Sequence, residues 1–135
     1  MEIKYIHKDC VNQTWKDVEK FLFNALIHSS GEYDLNQLKV MLVCGTQHLL
    51  IAKEDGNIVG ACTVAFENYP NDRIAVVTTF GGRGITKEEP WEHFENWCRE
   101  NGCTKVRAFT FEEAERLFSM RLGFKKTYIV IEKKL

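Results

Sequence analysis

The sequence contains a glycine-rich stretch, Gly81-Gly-Arg-Gly-Ile-Thr86, whose residue types suit the binding of an anionic ligand. It lies between a β-rich run, residues 73–80, and a predicted helix that begins at about Glu89. Backbone N–H groups of a glycine-rich loop at the start of a helix form a natural site for phosphate groups. The stretch is therefore a candidate anion-binding loop.

The residues after this loop support a competing interpretation. Thr86 and Glu89 have the spacing of a capping box, in which the two side chains occupy the first free N–H groups of a helix. Glu88 and Glu89 would also place negative charge at the positive end of the helix, and Pro90 has no N–H group to offer. A capped helix after a glycine turn and a phosphate-binding loop are both compatible with this sequence.

Histidine and cysteine spacing gives no metal site. None of the five cysteines forms a Cys-x-x-Cys pair, and the four histidines supply no second ligand pair at regular spacing. We expect reduced thiols that serve mostly as small apolar residues of the core. Trp91, Phe94 and Trp97 recur at helical spacing, which is typical of the buried stripe of a helix.

Composition indicates one compact domain spanning residues 1–135. The chain has 44% hydrophobic residues and a net charge of −1, so no overall basic field favours nucleic acid or anionic lipid. It contains no apolar run long enough to cross a membrane, and its first residues read as a strand pattern, not as a signal peptide. We expect a cytoplasmic protein that binds neither nucleic acid nor membrane.

The elements that must position the loop follow the order β-α-α-β-β-β-α-β-α-β, which predicts an α/β fold. The predicted strands are residues 2–7, 47–53, 58–66, 73–80, 104–109 and 126–131. The predicted helices are residues 14–28, with Thr14 as a capping residue, 35–45, 89–100 and 111–120. Asp55-Gly56-Asn57 is typical of a tight hairpin turn.

The chain resembles the GNAT superfamily of N-acetyltransferases in its last quarter, where a helix ends at Leu122-Gly-Phe124 and a β-rich segment follows. Gly123 is expected to cap this helix in a left-handed conformation, which lets Phe124 fold back on the helix. The hairpin at Glu54-Asp-Gly-Asn57 adds to the likeness. The resemblance implies a single-domain GNAT-like fold, with a mixed, mostly antiparallel twisted sheet of about six strands flanked by about four helices.

The resemblance also implies that acetyl-CoA is the cofactor and that the glycine loop holds its pyrophosphate. GNAT loops follow the pattern Arg/Gln-x-x-Gly-x-Gly/Ala; here Gly84 matches the first glycine, while Gly81 and Thr86 depart from the pattern. Arg83 is displaced from the usual position but within reach of a phosphate. The implied cofactor-binding residues are Thr78, Thr79, Phe80, Gly81, Gly82, Arg83, Gly84, Ile85 and Thr86.

Two catalytic residues are implied in the same way. GNAT enzymes commonly place a general-acid tyrosine about four residues before the glycine of Leu-Gly-Phe, where this chain has Phe118 and Ser119. Ser119 is a weak acid, but it could hydrogen-bond the thiolate that leaves. The central strand carries no carboxylate, so Glu67, at a strand end, is the candidate base for the acceptor amine.

Two functions remain open on this sequence. One is an acyl-CoA-dependent N-acetyltransferase whose acceptor is an unidentified small-molecule or protein amine. The other is a catalytically inactive GNAT-fold binding or structural protein that acts through a protein partner or a homo-oligomer. Tyr69-Pro70, Trp91 and residues 95–103 also look like a GNAT-like subgroup encoded by bacteriophages, which would make the second function a virion or host-takeover role.

Overall fold

The computed structural model describes all 135 residues, and its centre is one sheet of five strands in the order β1-β2-β3-β4-β5. β1 to β4 pair antiparallel, whereas β4 and β5 run parallel, so the predicted mixed α/β architecture is confirmed. The strands are β1 (Glu2–Ile6), β2 (His48–Glu54), β3 (Asn57–Asn68), β4 (Arg73–Gly82) and β5 (Lys105–Ala108). The helices are α1 (Val11–Leu26), α2 (Leu35–Cys44), α3 (Glu88–Glu100) and α4 (Glu112–Leu122).

Two helical layers cover the two faces of the sheet. Because successive strand residues point to opposite faces, Leu49 and Ile51 of β2 pack with α1 and α2, while Leu50 packs with the core beneath α3 and α4. Leu22 and Phe94 are fully buried centres of these two cores. The candidate site residues of β4 are thus held between two packed layers.

Two predicted turns form as the sequence indicates. Asp55 and Gly56 both have positive φ, at 52° and 80°, which is the backbone of a tight two-residue hairpin turn. Gly123 ends α4 in a left-handed conformation with φ of 74°. Phe124 then packs on Phe118, with ring centroids 5.1 Å apart, as predicted. The helix end at Leu122-Gly-Phe124, which carries part of the family resemblance, therefore forms as predicted.

The start of α1 differs from the prediction. The helix begins at Val11, three residues before Thr14, after a short 3-10 turn, Lys8–Cys10. His7 caps that turn, since its Nδ1 accepts a hydrogen bond from the N–H of Asp9. Thr14 lies inside the helix, and its hydroxyl donates to the carbonyl of Cys10. The predicted capping role of Thr14 was wrong because the helix starts three residues earlier, with Cys10 at the capping position and no side-chain acceptor there.

The segment 126–131, predicted as the sixth strand, pairs with no other strand. Its residues are exposed throughout, although their types favour a strand. A strand exists only where a neighbouring edge lies about 4.8 Å away, and local sequence cannot guarantee that edge. We call residues 126–131 the tail.

The cysteines were expected to serve mostly as small residues of the core, and three of the five do so. All five cysteines are free thiols; Cys62, Cys98 and Cys103 are buried, whereas Cys10 and Cys44 are exposed. No group of three or more His, Cys, Asp or Glu side chains is arranged to hold a metal ion. None of the helices combines the length and the apolar character needed to cross a membrane.

Candidate functional site

β4 and β5, the last pair of strands in the sheet, diverge partway along β4. β4 pairs with β3 as far as Gly82, but with β5 only from Ile74 to Val77. β5 ends at Ala108, opposite Val77. Residues 78–82 therefore present an open backbone edge to the space where β5 has turned away. We call this the open edge of β4.

A β-bulge begins this open edge. Thr63 of β3 is opposite Thr79, and the next pair is Val64 with Val77, so Thr78 is an extra residue in β4. Such a bulge re-aims the backbone of the strand that carries it. The parallel pairing with β5 stops at the same level. The bulge is thus the local reason that β4 changes partners here.

The side chains of Thr78 and Thr79 are held away from the opening. Both hydroxyls lie within hydrogen-bonding distance of the buried Thr63 hydroxyl, at 2.7 Å for Thr78. Thr78 also donates to Oε1 of Gln47, which is itself buried. Of the predicted cofactor-binding residues, Thr78 and Thr79 therefore have only their backbone groups to offer a ligand. Phe80, the next residue, packs its ring on Phe118 of α4.

The glycines after the open edge make close contact with neighbouring elements. A Cβ atom on Gly81 would overlap the carbonyl of Phe21 in α1. One on Gly82 would lie 2.5 Å from the carbonyl oxygen of Val59 in β3. Gly84 has φ of +97°, and a Cβ atom there would lie 2.8 Å from Sδ of Met1. The loop therefore needs glycine at these positions to sit flat against α1 and β3.

The predicted capping box does not form, and this changes the chemistry of the loop. α3 starts at Glu88 with Lys87 as the capping residue, and no side chain accepts a hydrogen bond there. Thr86 lies one residue before the capping position and Glu89 is only the second residue of the helix, so neither side chain is placed to form the box. The N–H groups of residues 84, 85, 86, 88 and 89 consequently have no acceptor within the protein. Five unpaired donors at one helix start suit an anionic group.

The charges around these donors are mixed. The Arg83 guanidinium forms an ion pair with the Glu54 carboxylate, and this contact, together with Lys87, lowers the pKa of Glu54. Arg83 is thus turned toward the β2–β3 hairpin. Glu88 and Glu89 add two acids in the first turn of α3. The backbone favours an anion, while the nearest carboxylates oppose it.

The candidate acid, Ser119, has a partner that sequence reasoning missed. Its hydroxyl donates to Oε1 of Glu115 at 3.1 Å, one helical turn earlier on α4. Phe118 beside it is buried and contacts both Phe80 and Trp91. The spacing of four residues between Glu115 and Ser119 was the available signal for this pair. Glu115 and Ser119 together form a half-buried polar pair on α4.

The candidate base, Glu67, lies toward the far end of the sheet. It is opposite Ile74, four residues from Thr78, which places its backbone roughly 13 Å from the bulge at about 3.3 Å per residue. Its Oε2 accepts a hydrogen bond from the Tyr69 hydroxyl at 2.8 Å and lies 3.9 Å from Nη1 of Arg107. The Glu67 carboxylate raises the pKa of Tyr69. Sequence spacing gave no hint of Arg107, which comes from β5.

The candidate site is thus an α/β sheet whose parallel strands separate beside a glycine loop with free N–H groups. A family model described as Acetyltransferase (GNAT) family matches residues 11–124, and this chain belongs to that family. A search of curated proteins gives no match.

Solved structures agree on the fold. A probable acetyltransferase shares 15% identity with a TM-score of 0.70, covering 100% of this chain and 97% of its own. A ribosomal-protein-alanine N-acetyltransferase from Brucella melitensis biovar Abortus 2308 shares 12% identity with a TM-score of 0.69 over the full length of both chains. A predicted acetyltransferase with acetyl-CoA from Clostridium acetobutylicum shares 14% identity with a TM-score of 0.64, covering 98% and 95%.

Proposed function

We propose that this protein is an acetyl-CoA-dependent N-acetyltransferase that acts on an amine. The observation that carries the proposal is the set of five unpaired N–H groups at residues 84–86, 88 and 89, directly after the open edge of β4. These donors fit a pyrophosphate, and the open edge fits the amide-containing arm that joins it to the thioester. Family membership and the acetyl-CoA complex of one structural neighbour support the same assignment.

Separate residues of this chain would bind the cofactor, stabilise the leaving thiolate and accept the proton of the amine. The loop donors would hold the pyrophosphate, and the open edge would orient the arm by backbone hydrogen bonds. Acetyl-CoA supplies the acetyl thioester, an acyl donor whose thiolate leaves readily. Ser119, whose hydroxyl proton is held by Glu115 in the free protein, would turn to donate that proton to the sulfur. Glu67 would take the amine proton through intervening waters, with Arg107 and Tyr69 holding its carboxylate in place.

Acetyl-CoA binding gives the most direct test. We expect millimolar acetyl-CoA to raise the melting temperature of the protein, because a ligand that binds only the folded state stabilises it. An acetyl thioester that lacks the nucleotide should give no shift. Thr86→Glu places a carboxylate among the donors and should abolish the acetyl-CoA shift. Thr46→Glu, at the opposite end of the sheet, is the matched control and should keep it.

A wild-type protein whose melting temperature does not respond to millimolar acetyl-CoA would overturn the assignment. Equal responses of Thr86→Glu and Thr46→Glu would locate the binding somewhere other than the loop. Turnover is measured separately, as release of free thiol with a panel of small amines and lysine peptides.

A second candidate is a GNAT-fold binding protein without turnover, and two observations favour it. Phe118 and Ser119 stand where the family commonly has a tyrosine, and Arg83 is tied to Glu54. Acetyl-CoA binding without thiol release for any amine would support this candidate. The resemblance to phage-encoded proteins suggests that such a binding protein would act in a bacteriophage virion or in host takeover. Finding the gene among phage genes would support this role.

A further inference from the structure

Arg107 of β5 is a largely buried arginine whose guanidinium makes no hydrogen bond within the protein. Its side chain is only 24% exposed, and its ion-pair partner, Glu67, places Oε2 3.9 Å from Nη1, which is beyond hydrogen-bond distance. The hydrogen bonds that arginines donate in this structure come from Arg73, Arg83 and Arg99. The donors of Arg107 are therefore free for a ligand.

Arg73 shows how a half-buried arginine with a structural role is held in this protein. Its Nε donates to the carbonyl of Asn101, and its Nη1 donates to Oδ1 of Asn68. Its guanidinium also lies over the Phe66 ring, 4.4 Å from the centroid. Arg107 has no such set of acceptors. Removing most of the water around a guanidinium without supplying hydrogen bonds is unfavourable, so an acceptor from a ligand would be stabilising there.

Two tyrosines and one carboxylate surround the Arg107 guanidinium. It lies over the Tyr128 ring, 5.4 Å from the centroid. The Tyr69 hydroxyl is also close: Glu67 raises its pKa, and Arg107 opposes that rise. Glu67 meets the guanidinium at Nη1, so the edge formed by Nε and Nη2 has no acceptor in the protein. Two parallel N–H groups on such an edge form the fork that binds a carboxylate in a bidentate manner.

Arg107 lies close to the open edge of β4. It is opposite Val76, and the open edge begins two residues further along β4, at Thr78. The backbone of Arg107 is thus about 7 Å from the open edge, at about 3.3 Å per residue. Val106 packs on the core beneath α3 and α4, so the Arg107 side chain points to the other face of the sheet, where it meets Glu67. This position places the free guanidinium edge beside the proposed path of the acceptor.

We propose that Arg107 binds a carboxylate of the acceptor, so that the protein selects amines that also carry a carboxylate. This inference rests on the proposed function and names the class of acceptor for the same site. The carboxylate accepts hydrogen bonds from Nε and Nη2, while Glu67 keeps its contact with Nη1 and remains the proposed base. The amine lies toward the open edge, so several bonds separate it from the carboxylate, as in a dipeptide or an ω-amino acid.

A carboxylate fits this position better than a phosphate. Arg107 and Glu67 together carry no net charge, so a doubly charged phosphate would meet the Glu67 carboxylate with one cation to offset it. Lys105, the other cation on this strand, is paired with Asp72 at 3.0 Å. A singly charged group that uses two aligned N–H donors suits this balance of charge.

Matched pairs of amines test the proposal by thiol release from acetyl-CoA. The pairs are glycylglycine with its amide and 6-aminohexanoate with 6-aminohexanamide. We expect kcat/KM to favour each acid by about 10- to 100-fold, mainly through KM, which is the range for hydrogen bonds to a charged group. Arg107→Gln should bring the ratio of acid to amide close to one, and Arg107→Lys should keep part of it. The ratio is the readout because any disturbance of Glu67 affects both members of a pair.

Two control variants separate carboxylate binding from support of the base. Tyr69→Phe removes the hydrogen bond to Glu67 and leaves Arg107 in place. It should lower the turnover of acid and amide alike and keep the ratio between them. Arg116→Gln replaces an exposed arginine of α4 and should keep the ratio as well. A preference for the acids that survives Arg107→Gln, or is lost equally in Arg116→Gln, would overturn the proposal.

Melting temperatures give a readout that does not need turnover. At about 10 mM, 6-aminohexanoate should raise the melting temperature more than its amide does, and this difference should vanish in Arg107→Gln. Equal shifts with acid and amide in the wild type overturn the proposal. If acetyl-CoA binds and both members of each pair react equally, the acceptor class is wrong and the proposed function stands. If acetyl-CoA gives no shift but the acid-specific shift depends on Arg107, the carboxylate site stands and the proposed function falls.

Discussion

The two acids at the start of α3 give the sharpest prediction, because their removal should move stability and ligand affinity in opposite directions. Glu88 and Glu89 lie in the first turn, beside the free N–H groups. An acid at an exposed helix start stabilises the protein by about 0.3–1 kcal/mol. Glu88→Gln with Glu89→Gln should therefore lower the free energy of unfolding by about 0.6–2 kcal/mol.

The same double substitution should tighten the binding of acetyl-CoA. A carboxylate about 8 Å from one phosphate charge repels it by about 0.5 kcal/mol in water-like surroundings. Two acids facing the two charges of a pyrophosphate then cost about 1–2 kcal/mol, which is about 5- to 30-fold in the dissociation constant. Calorimetric titration at low ionic strength measures this, and the gain should shrink when salt is added, because salt screens exposed charges.

Glu100→Gln is the matched control for this pair. Glu100 is the last residue of α3, about 18 Å from Glu88 at about 1.5 Å per residue, and it faces the negative end of the helix. Its removal should leave the dissociation constant unchanged and should not destabilise the protein. If the wild type binds acetyl-CoA but the Glu88/Glu89 variant binds it no more tightly, the pyrophosphate does not sit at this helix start.

Three further predictions concern binding, stability and pH. Glu54→Gln should release Arg83 and tighten acetyl-CoA binding in the same titration, and adding Arg83→Gln should cancel that gain. Phe94→Ala should lower the free energy of unfolding by about 3–5 kcal/mol in urea, since this ring is fully buried, and a loss below 1 kcal/mol would contradict the described core. Burial and the nearby Arg73 lower the pKa of His48, so the folded state binds fewer protons than the unfolded state and stability should fall as pH drops below about 6.5. His48→Gln should lessen this loss between pH 7 and 5, and an unchanged profile would contradict it.

The sequence predicted the elements whose determinants are local. The positive φ of Gly56 and Gly123 follows from turn and capping chemistry that a few neighbouring residues specify. The fold class follows from the order of elements and from alternation and helical periodicity. These patterns report burial, which is the main requirement for each element to form.

The errors arose where the outcome depended on a distant or competing partner. Thr86 and Glu89 have the spacing of a capping box, but the helix begins one residue later, with Lys87 as its cap, so neither side chain reaches its donor. The tail has the residue types of a strand, but no strand of the sheet pairs with it. Spacing alone cannot reveal either circumstance.

In the candidate site, too, the locally determined features were predictable and the long-range contacts were not. The glycine loop was visible in the sequence because three glycines precede a helix. The Glu67–Arg107 and Arg83–Glu54 contacts were not, because each joins residues at least 29 positions apart. Long-range pairs of this kind depend on strand order, which the chain determines only once it has folded.

The bulge at Thr78 has a consequence for how the open edge could be altered. Thr63 meets both Thr78 and Thr79 only in the bulged register, and Thr78 is also tied to Gln47. A slip of β4 by one residue would break these contacts and leave buried hydroxyls without partners, so the network locks the strand in place. The shape of the opening is thus set in part by Gln47, a buried residue just before β2 that does not itself belong to β4. Substitutions at Gln47 should change the shape of the open edge of β4 without changing the residues that line it.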